Sequence, residues 1–129
     1  KSRTATEKLV SLIRHSLSAD YISELKAKIR HFYDLHFLWN DPESRAYLES
    51  AEFKTDFKAL LSSDQARFKE PEGWCDKKVS DSPLISSFDK VWSELQETYS
   101  KELPELAYQT IPSPESVAES FKELSVLLK

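Results

Sequence analysis

The sequence contains a single glycine, Gly73, among its 129 residues. Glycine supplies the positive φ angles of tight β-hairpin turns, and glycine-rich loops let backbone N–H groups surround a phosphate. A chain with one glycine therefore has little provision for a fold rich in hairpins. The single glycine also excludes a Walker phosphate loop and a dinucleotide-binding fingerprint, since both need several glycines. Apolar residues recur instead at intervals of three and four, and this spacing predicts an all-α domain.

The balance of residue types is that of a folded globular domain, with 40% hydrophobic and 31% charged residues. We expect residues 1–129 to form one helical domain, without a segment apolar enough to cross a membrane. One cysteine, Cys75, excludes an internal disulfide and favours a cytoplasmic location. Because the sequence lacks methionine and begins at Lys1, we expect it to be part of a longer protein.

The first two helices are the most sharply marked. Thr4 and Glu7 have the spacing of a capping box, which predicts a helix from Thr4 to about Ser16. A second amphipathic helix is expected to follow a break at residues 18–20 and to end near Trp39. Because the break is short, the two helices are predicted to form an antiparallel hairpin.

The rest of the chain completes a predicted total of five or six helices. The expected segments are a short helix through Leu48, a helix over 51–61, an irregular stretch over 62–82, and two helices beginning at Ser82-Pro83 and Ser113-Pro114 with a connection over 106–111 between them. Helical spacing also predicts which side chains point inward. They are Leu9, Leu12, Ile13, Leu17, Ile22, Leu25, Ile29, Phe32, His36, Trp39, Phe53, Phe57, Leu60, Leu61, Leu84, Phe88, Val91, Trp92, Leu95, Tyr99, Val117, Phe121, Leu124 and Leu128.

Charge is distributed unevenly along the chain. Residues 1–36 contain seven basic and four acidic residues, a net charge of +3, whereas the whole chain carries −4. The remainder therefore carries −7. All three histidines also lie in the basic part, so a binding site for an anion is expected there.

Lys26, Arg30 and Asp34 follow one another at intervals of four in the second predicted helix. One interpretation is a solvated ladder in which Arg30 and Asp34 form a surface pair worth about 0.3–0.5 kcal/mol. The other makes Arg30 a phosphate ligand oriented by Asp34, with Tyr33 and Phe37 as an apolar wall. Lys8 fits the second interpretation only if the hairpin register brings it near Arg30.

The other reactive side chains do not form a recognisable catalytic or metal site. His31 and His36 are five residues apart, so they cannot face one metal ion from the same side of a helix. His36 is expected to be a hydrogen-bonded core residue and His15 to be exposed. Cys75 has no histidine near it in sequence and is interpreted as an ordinary thiol. No metal ligand is predicted.

Two short segments resemble the AbiEii/AbiGii-type nucleotidyltransferase toxins of bacterial abortive-infection and type IV toxin–antitoxin systems. They are Arg3-Thr4 followed by Glu7-Lys8-Leu9, and Lys28-Ile29-Arg30-His31 followed by Tyr33-Asp34-Leu35-His36. The resemblance implies that Lys8 and Arg30 bind a nucleoside triphosphate. It also implies that Asp34 matches the final aspartate of the second motif and is the candidate catalytic residue.

Glu7, His31 and Tyr33 are supporting residues in this resemblance. His31 stands where many relatives have an aspartate, which is a departure from the family pattern. The family's catalytic core also carries a Gly-Ser turn and an Asp-x-Asp pair that binds Mg²⁺, and neither occurs in this sequence. The resemblance therefore implies that the chain is the C-terminal helical part of a Mg²⁺-dependent nucleotidyltransferase, that it is inactive alone, and that it packs against an N-terminal catalytic core.

Two other classes of function remain open on the sequence. A helical protein-interaction module, for example one that docks an antitoxin, would need no chemistry of its own. It would present an exposed apolar patch on the last two helices. A nucleic-acid binder would use the basic and aromatic residues between 28 and 37 and would bind less tightly as salt rises. For a nucleotidyltransferase, the sequence leaves the acceptor open among an RNA, a protein and a small molecule.

Overall fold

The computed structural model describes residues 2–106 and 112–128, and within them it contains helices and no strand. The all-α prediction is confirmed. Three single 3-10 turns, Trp74–Asp76, Val79–Asp81 and Val126–Leu128, accompany eight α-helices in this part of the chain. The α-helices are α1 Ser2–Ser16, α2 Tyr21–Ala27, α3 Ile29–Asn40, α4 Pro42–Leu48, α5 Ala51–Arg67, α6 Pro83–Ser86, α7 Phe88–Leu106 and α8 Pro114–Ser125.

Helix α1 is the central element, and it contacts α2, α3, α4, α5 and α6. The predicted capping box is wrong: the backbone is already helical at Ser2, so Thr4 lies within the first turns and cannot cap the helix. Burial is also broader than one stripe. Ala5 and Val10 are as inaccessible as Leu9, because neighbours cover the helix on several sides.

The second predicted helix is two helices. Lys28, with φ −108° and ψ 19°, leaves the helical conformation and separates α2 from α3. A tighter turn bridges the break, in which the Lys28 N–H donates to the Leu25 carbonyl at 3.0 Å. Leu25 and Ile29 remain buried on either side of it. Because the apolar spacing runs through the turn, the break leaves no signal in the pattern.

Helix α5 is longer than predicted, and it ends at Arg67 rather than near residue 61. Residues 62–67 are mostly polar and point largely toward solvent, so no apolar spacing marks them as helical. The irregular stretch therefore begins at Phe68. Its single glycine, Gly73, has φ 83°, the left-handed conformation that side chains disfavour.

Two aromatic residues help to attach this irregular stretch to the helices beside it. Trp74 is fully buried, and its indole N–H donates to the Phe68 carbonyl at 2.8 Å. The Arg14 guanidinium lies 4.3 Å from the centroid of the Phe68 ring, and its Nε donates to the Glu70 carbonyl at 2.7 Å. The stretch is thus attached to α1 by stacking and by hydrogen bonding.

The helix predicted from Ser82-Pro83 is interrupted at Ser87, which gives the short α6 and the long α7. Helix α7 continues through Pro104 and ends at Leu106. The predicted connection over 106–111 lies mostly outside the described residues. Helix α8 begins as predicted, with the Ser113 hydroxyl accepting from the Ser116 N–H at 3.2 Å.

Most of the predicted inward residues are buried in one continuous core. The exceptions are only partly buried: Leu17, Ile22, His36, Leu60, Leu61 and Leu128. Prediction from spacing missed Leu35 and Leu48, which are each 1% exposed. An aromatic cluster joins α3, α7 and α8, with Phe32 5.4 Å from Trp92 and 5.3 Å from Phe121 between ring centroids. None of the helices in the described part of the chain is long and apolar enough to cross a membrane.

A buried pair of serines joins α1 to the start of α6. The Ser16 hydroxyl donates to the Ile13 carbonyl, so its oxygen accepts from the Ser82 hydroxyl at 2.5 Å. The Ser82 oxygen in turn accepts from the Leu84 N–H at 3.1 Å and caps α6. Each serine hydroxyl is therefore satisfied in the absence of water.

Ser82→Ala is expected to lower the free energy of unfolding by about 2–3 kcal/mol, because it leaves the Leu84 N–H without its buried acceptor. The matched control is Ser113→Ala, at the exposed cap of α8, which is expected to cost about 1 kcal/mol or less. Urea denaturation measures both. Equal losses for the two variants would contradict the importance of the buried pair.

Candidate functional site

The exposed face of α3 carries most of the residues that the sequence predicted for the site. Each residue of an α-helix is rotated by about 100° from the last, so Arg30, Asp34 and Phe37 share one face. Phe32 and Leu35 point the opposite way into the core. The division between polar and buried faces therefore follows directly from the helical spacing of α3.

Lys8 reaches this face from α1. Its Nζ lies 3.2 Å from Oδ2 of Asp34, while Nε of Arg30 lies 4.0 Å from Oδ1 of the same carboxylate. The packing of α1 beside α3 thus brings Lys8 and Arg30 to one acidic group. Lys8 and Asp34 are also better covered than Arg30, with side chains 21% and 26% exposed against 57%.

The chain direction explains this meeting. His15 pairs with Glu24 near the turn between α1 and α2, and Lys8 pairs with Asp34 farther from it. From His15 back to Lys8 along α1, the partner residue moves forward from Glu24 to Asp34. The contacts therefore run in opposite chain directions along α1 and along the segment that follows it. Because the segment is interrupted at Lys28, Glu24 lies in α2 and Asp34 lies in α3, so each of these helices supplies one partner to α1.

Lys26 does not continue the ladder through Arg30 and Asp34. It lies in α2, and the break at Lys28 separates it from the regular four-residue spacing of α3. Its charge acts instead on Glu97 of α7, whose pKa is lowered by Lys101 and, more weakly, by Lys26. The cation that joins Arg30 at Asp34 is therefore Lys8.

His31 is neutral at physiological pH. Burial is the main cause that lowers its pKa to about 4, and the positive charges of Lys8 and Lys28 lower it further. The Asp34 carboxylate acts in the opposite direction but does not outweigh them. His31 can therefore donate or accept a hydrogen bond beside the cluster without adding positive charge.

Glu7 and Tyr33, the two remaining residues predicted to support the site, lie at the edges of the cluster of Lys8, Arg30 and Asp34. Glu7 is exposed and one position from Lys8, which places it about 100° away around α1. Tyr33 is half-buried and packs against Phe37, with ring centroids 4.9 Å apart at an interplanar angle of 64°. Neither residue appears in the ion pairs that Lys8 and Arg30 form with Asp34.

The other histidines lie outside this cluster. The expectation that His15 is exposed is wrong: its side chain is 23% exposed and its Nδ1 lies 2.7 Å from Glu24, because α2 packs beside the end of α1. The hydrogen bond predicted for His36 is present, with Nδ1 2.8 Å from the Ser120 hydroxyl, but the side chain is only partly buried and not a core residue. Burial lowers the pKa of His36.

Sequence reasoning missed one polar network between α1, α4 and α5. The Tyr47 hydroxyl donates to Asp56 at 2.6 Å and lies 3.1 Å from the hydroxyl of the buried Thr6. Burial, followed by the hydrogen bond to Asp56, raises the pKa of Tyr47. The three residues come from distant parts of the chain, so local spacing could not have indicated the network.

The cluster of Lys8, Arg30 and Asp34 suits an anion better than a metal ion. Within the described residues, no group of three or more histidine, cysteine, aspartate or glutamate side chains could hold a metal. Asp34, the carboxylate closest to the predicted site, already faces two cations, which repel a divalent cation. Two cations around one carboxylate leave a net positive charge, which attracts a phosphate group.

Protonation of His31 provides a test of its environment. The folded-state pKa of about 4 lies below the ordinary value of 6.5, so between these pH values the unfolded chain binds more protons. The free energy of unfolding is therefore expected to fall as pH decreases from about 6.5 to about 4, by about 1–2 kcal/mol, because partial solvent exposure of His31 screens its charge. His31→Asn is expected to remove that part of the pH dependence, as measured by urea denaturation at several pH values. A slope unchanged by the substitution would contradict the assignment.

Comparison with known proteins places the chain in a family. The family model described as nucleotidyl transferase AbiEii toxin, type IV toxin–antitoxin system, matches residues 2–124. No curated protein matches the chain, and neither does any solved structure. The match includes both α1 and α3 and extends almost to the end of α8. The chain therefore belongs to the AbiEii nucleotidyltransferase toxin family.

Proposed function

We propose that this chain binds the triphosphate of a nucleotide, as the C-terminal helical domain of a nucleotidyltransferase toxin whose catalytic core lies in another part of the protein. The observation that carries the proposal is the meeting of Lys8 and Arg30 at Asp34, 3.2 Å and 4.0 Å from its two oxygens. These residues come from the two segments in which the sequence resembles the family. Membership of the family supplies the reaction class.

The two cations have complementary roles in this proposal. The Lys8 ammonium is a compact charge that can bind any phosphate oxygen, whereas the Arg30 guanidinium is a planar fork that can bind two oxygens at once. Arg30 is the more exposed of the two and can reach outward. Lys8 rises from a buried helix, so its position is more nearly fixed.

Asp34 is proposed to position both cations before the nucleotide arrives. Like charges repel, and the carboxylate between them offsets that repulsion at short range. A triphosphate carries more negative charge than one carboxylate, so it can take over the outer hydrogen bonds of the cations while Asp34 keeps the inner ones. Prearranged charges stabilise a developing charge without further reorganisation.

Nucleotidyl transfer makes that arrangement useful. An acceptor oxygen attacks the α-phosphorus, the bond from that phosphorus to the bridging oxygen breaks, and pyrophosphate leaves with increased negative charge. Lys8 and Arg30 would stabilise the charge on this leaving group. Because Asp34 does not fit a magnesium site, we assign it a positioning role. An RNA acceptor and a direct catalytic role for Asp34 stay predictions.

Binding of ATP to the purified chain, measured by isothermal titration calorimetry, tests the proposal. Lys8→Ala and Arg30→Ala are each expected to weaken binding about tenfold or more, because each removes a charge-assisted hydrogen bond worth about 1.5–3 kcal/mol. Asp34→Asn is expected to weaken binding by a smaller factor than either cation variant, because Lys8 and Arg30 lose the carboxylate that positions them.

The control variant is Lys54→Ala, which removes an exposed lysine of α5 away from the cluster. It is expected to leave ATP binding unchanged. If Lys8→Ala behaved like Lys54→Ala, the proposed triphosphate site would be wrong. Added salt should weaken wild-type binding more than binding by Lys8→Ala, because fewer charges act in the variant.

A protein-interaction role is the second candidate function, and one apolar groove favours it. The groove, about 400 Å³ in volume, is formed by α5, Val79 and the turn after α8. Its apolar lining includes Leu127 and Leu128, and Lys54 and Lys58 border it. Val126 beside it is 61% exposed. The type IV toxin–antitoxin classification makes an antitoxin the partner that this candidate proposes.

Lys58→Glu separates the two candidates. If an antitoxin docks in the groove, reversal of this exposed charge should weaken the complex at least about fivefold, while Lys8→Ala should leave it intact. The measurement is the dissociation constant of the toxin–antitoxin pair by calorimetry. An affinity unchanged by Lys58→Glu would exclude docking at this groove.

A further inference from the structure

One large aromatic side chain on the α3 face remains half exposed. Phe37 is 49% exposed, and only Val126 among the other large hydrophobic residues of the described chain is comparably exposed. Burial of a phenylalanine side chain stabilises a protein by about 1.5–3 kcal/mol. The fold forgoes much of that stabilisation here, whereas it buries Phe32 and Trp39 of the same helix.

The Phe37 ring is held in a defined position despite its exposure. Tyr33 and His36 pack against it with ring centroids at 4.9 Å and 5.3 Å and interplanar angles of 64° and 82°. His36 is itself fixed by its 2.8 Å contact with the buried Ser120 of α8. Edge-to-face packing of this kind limits the rotation of the exposed ring.

This ring lies in line with the charged cluster. Phe37 lies seven positions after Arg30, which is close to two helical turns and about 10 Å along the axis of α3. Asp34 stands between them on the same face. A ligand that lies along α3 would therefore meet cations at one end and an aromatic surface at the other.

We propose that Phe37 is the stacking platform for the nucleobase of the nucleotide whose phosphates are bound by Lys8 and Arg30. This inference rests on the proposed function and adds the site of the base. The spacing suits a nucleoside triphosphate, because its sugar and phosphate chain extend from the base to the cations. Stacking on a phenylalanine ring uses the π face common to all bases, so binding should tolerate different bases.

A pair of ligands separates the base site from the phosphate site. ATP carries both a base and a triphosphate, whereas inorganic tripolyphosphate carries only the charged chain. Phe37→Ala is expected to weaken ATP binding at least about fivefold and to leave tripolyphosphate binding unchanged. Lys8→Ala should weaken both. Because Phe37 is exposed, Phe37→Ala is expected to keep the fold, which circular dichroism checks.

Two further variants at the same position make the test specific for stacking. Phe37→Leu keeps an apolar side chain without a π face and should bind ATP as weakly as Phe37→Ala. Phe37→Trp should keep ATP binding at the wild-type level. The fluorescence of the added tryptophan should be quenched by ATP but not by tripolyphosphate. The difference from the wild-type spectrum removes the signal of Trp39, Trp74 and Trp92, all of which are buried.

The outcomes distinguish the two proposals. If Phe37→Ala binds ATP like the wild type while Lys8→Ala does not, the stacking inference is overturned and the triphosphate site stands. If Phe37→Leu binds ATP like the wild type, the contact is merely apolar and the inference is overturned as well. If neither the binding of ATP nor the binding of tripolyphosphate is weakened by Lys8→Ala, the proposed function itself fails.

Discussion

The burial of α1 among the other helices is the constraint on which the rest of the structure depends. Leu9 and Leu12 are fully buried, and five helices contact the segment that contains them. Such a helix cannot rotate or slide without losing core contacts, because interiors are close-packed. Lys8 is fixed at the edge of this buried helix, so its ammonium emerges at one place, beside α3. The position of a charged side chain is thus set by apolar packing.

The break at Lys28 has a similar effect on the other half of the site. It divides one amphipathic segment into α2, which packs against α1 near the turn, and α3, which packs extensively against α8. The buried side of α3 determines which residues remain outside, namely Arg30, Asp34 and Phe37. The hydrogen bond from the Trp39 indole to Glu123 at 2.8 Å, together with the contact of His36 with Ser120, also ties α3 to α8. The proposed binding face is therefore the rigid outer side of a helix that the core holds in place.

Local sequence patterns were sufficient to predict the fold class and most of the core, because the spacing of apolar residues shows which side of each helix is buried. They could not show the break at Lys28, because apolar spacing continues through a tighter turn. They also missed the polar end of α5, which has no apolar residues to mark it. For the site, the motifs indicated Lys8, Arg30 and Asp34, but the pairing of Lys8 with Asp34 depends on the register between two helices. That register comes from packing of distant segments, to which local spacing is insensitive.

The central claim is that Lys8 and Arg30 act as one anion site organised by Asp34, and nuclear magnetic resonance can test it directly on the labelled chain. Inorganic tripolyphosphate would be titrated while the Nε–H signal of Arg30 and the backbone signals around Lys8 are followed. The account predicts that these signals shift together with one dissociation constant, and that both responses disappear in Lys8→Ala. Shifts confined to other lysines, such as Lys54 and Lys58, or an Arg30 response that persists unchanged in Lys8→Ala, would contradict it.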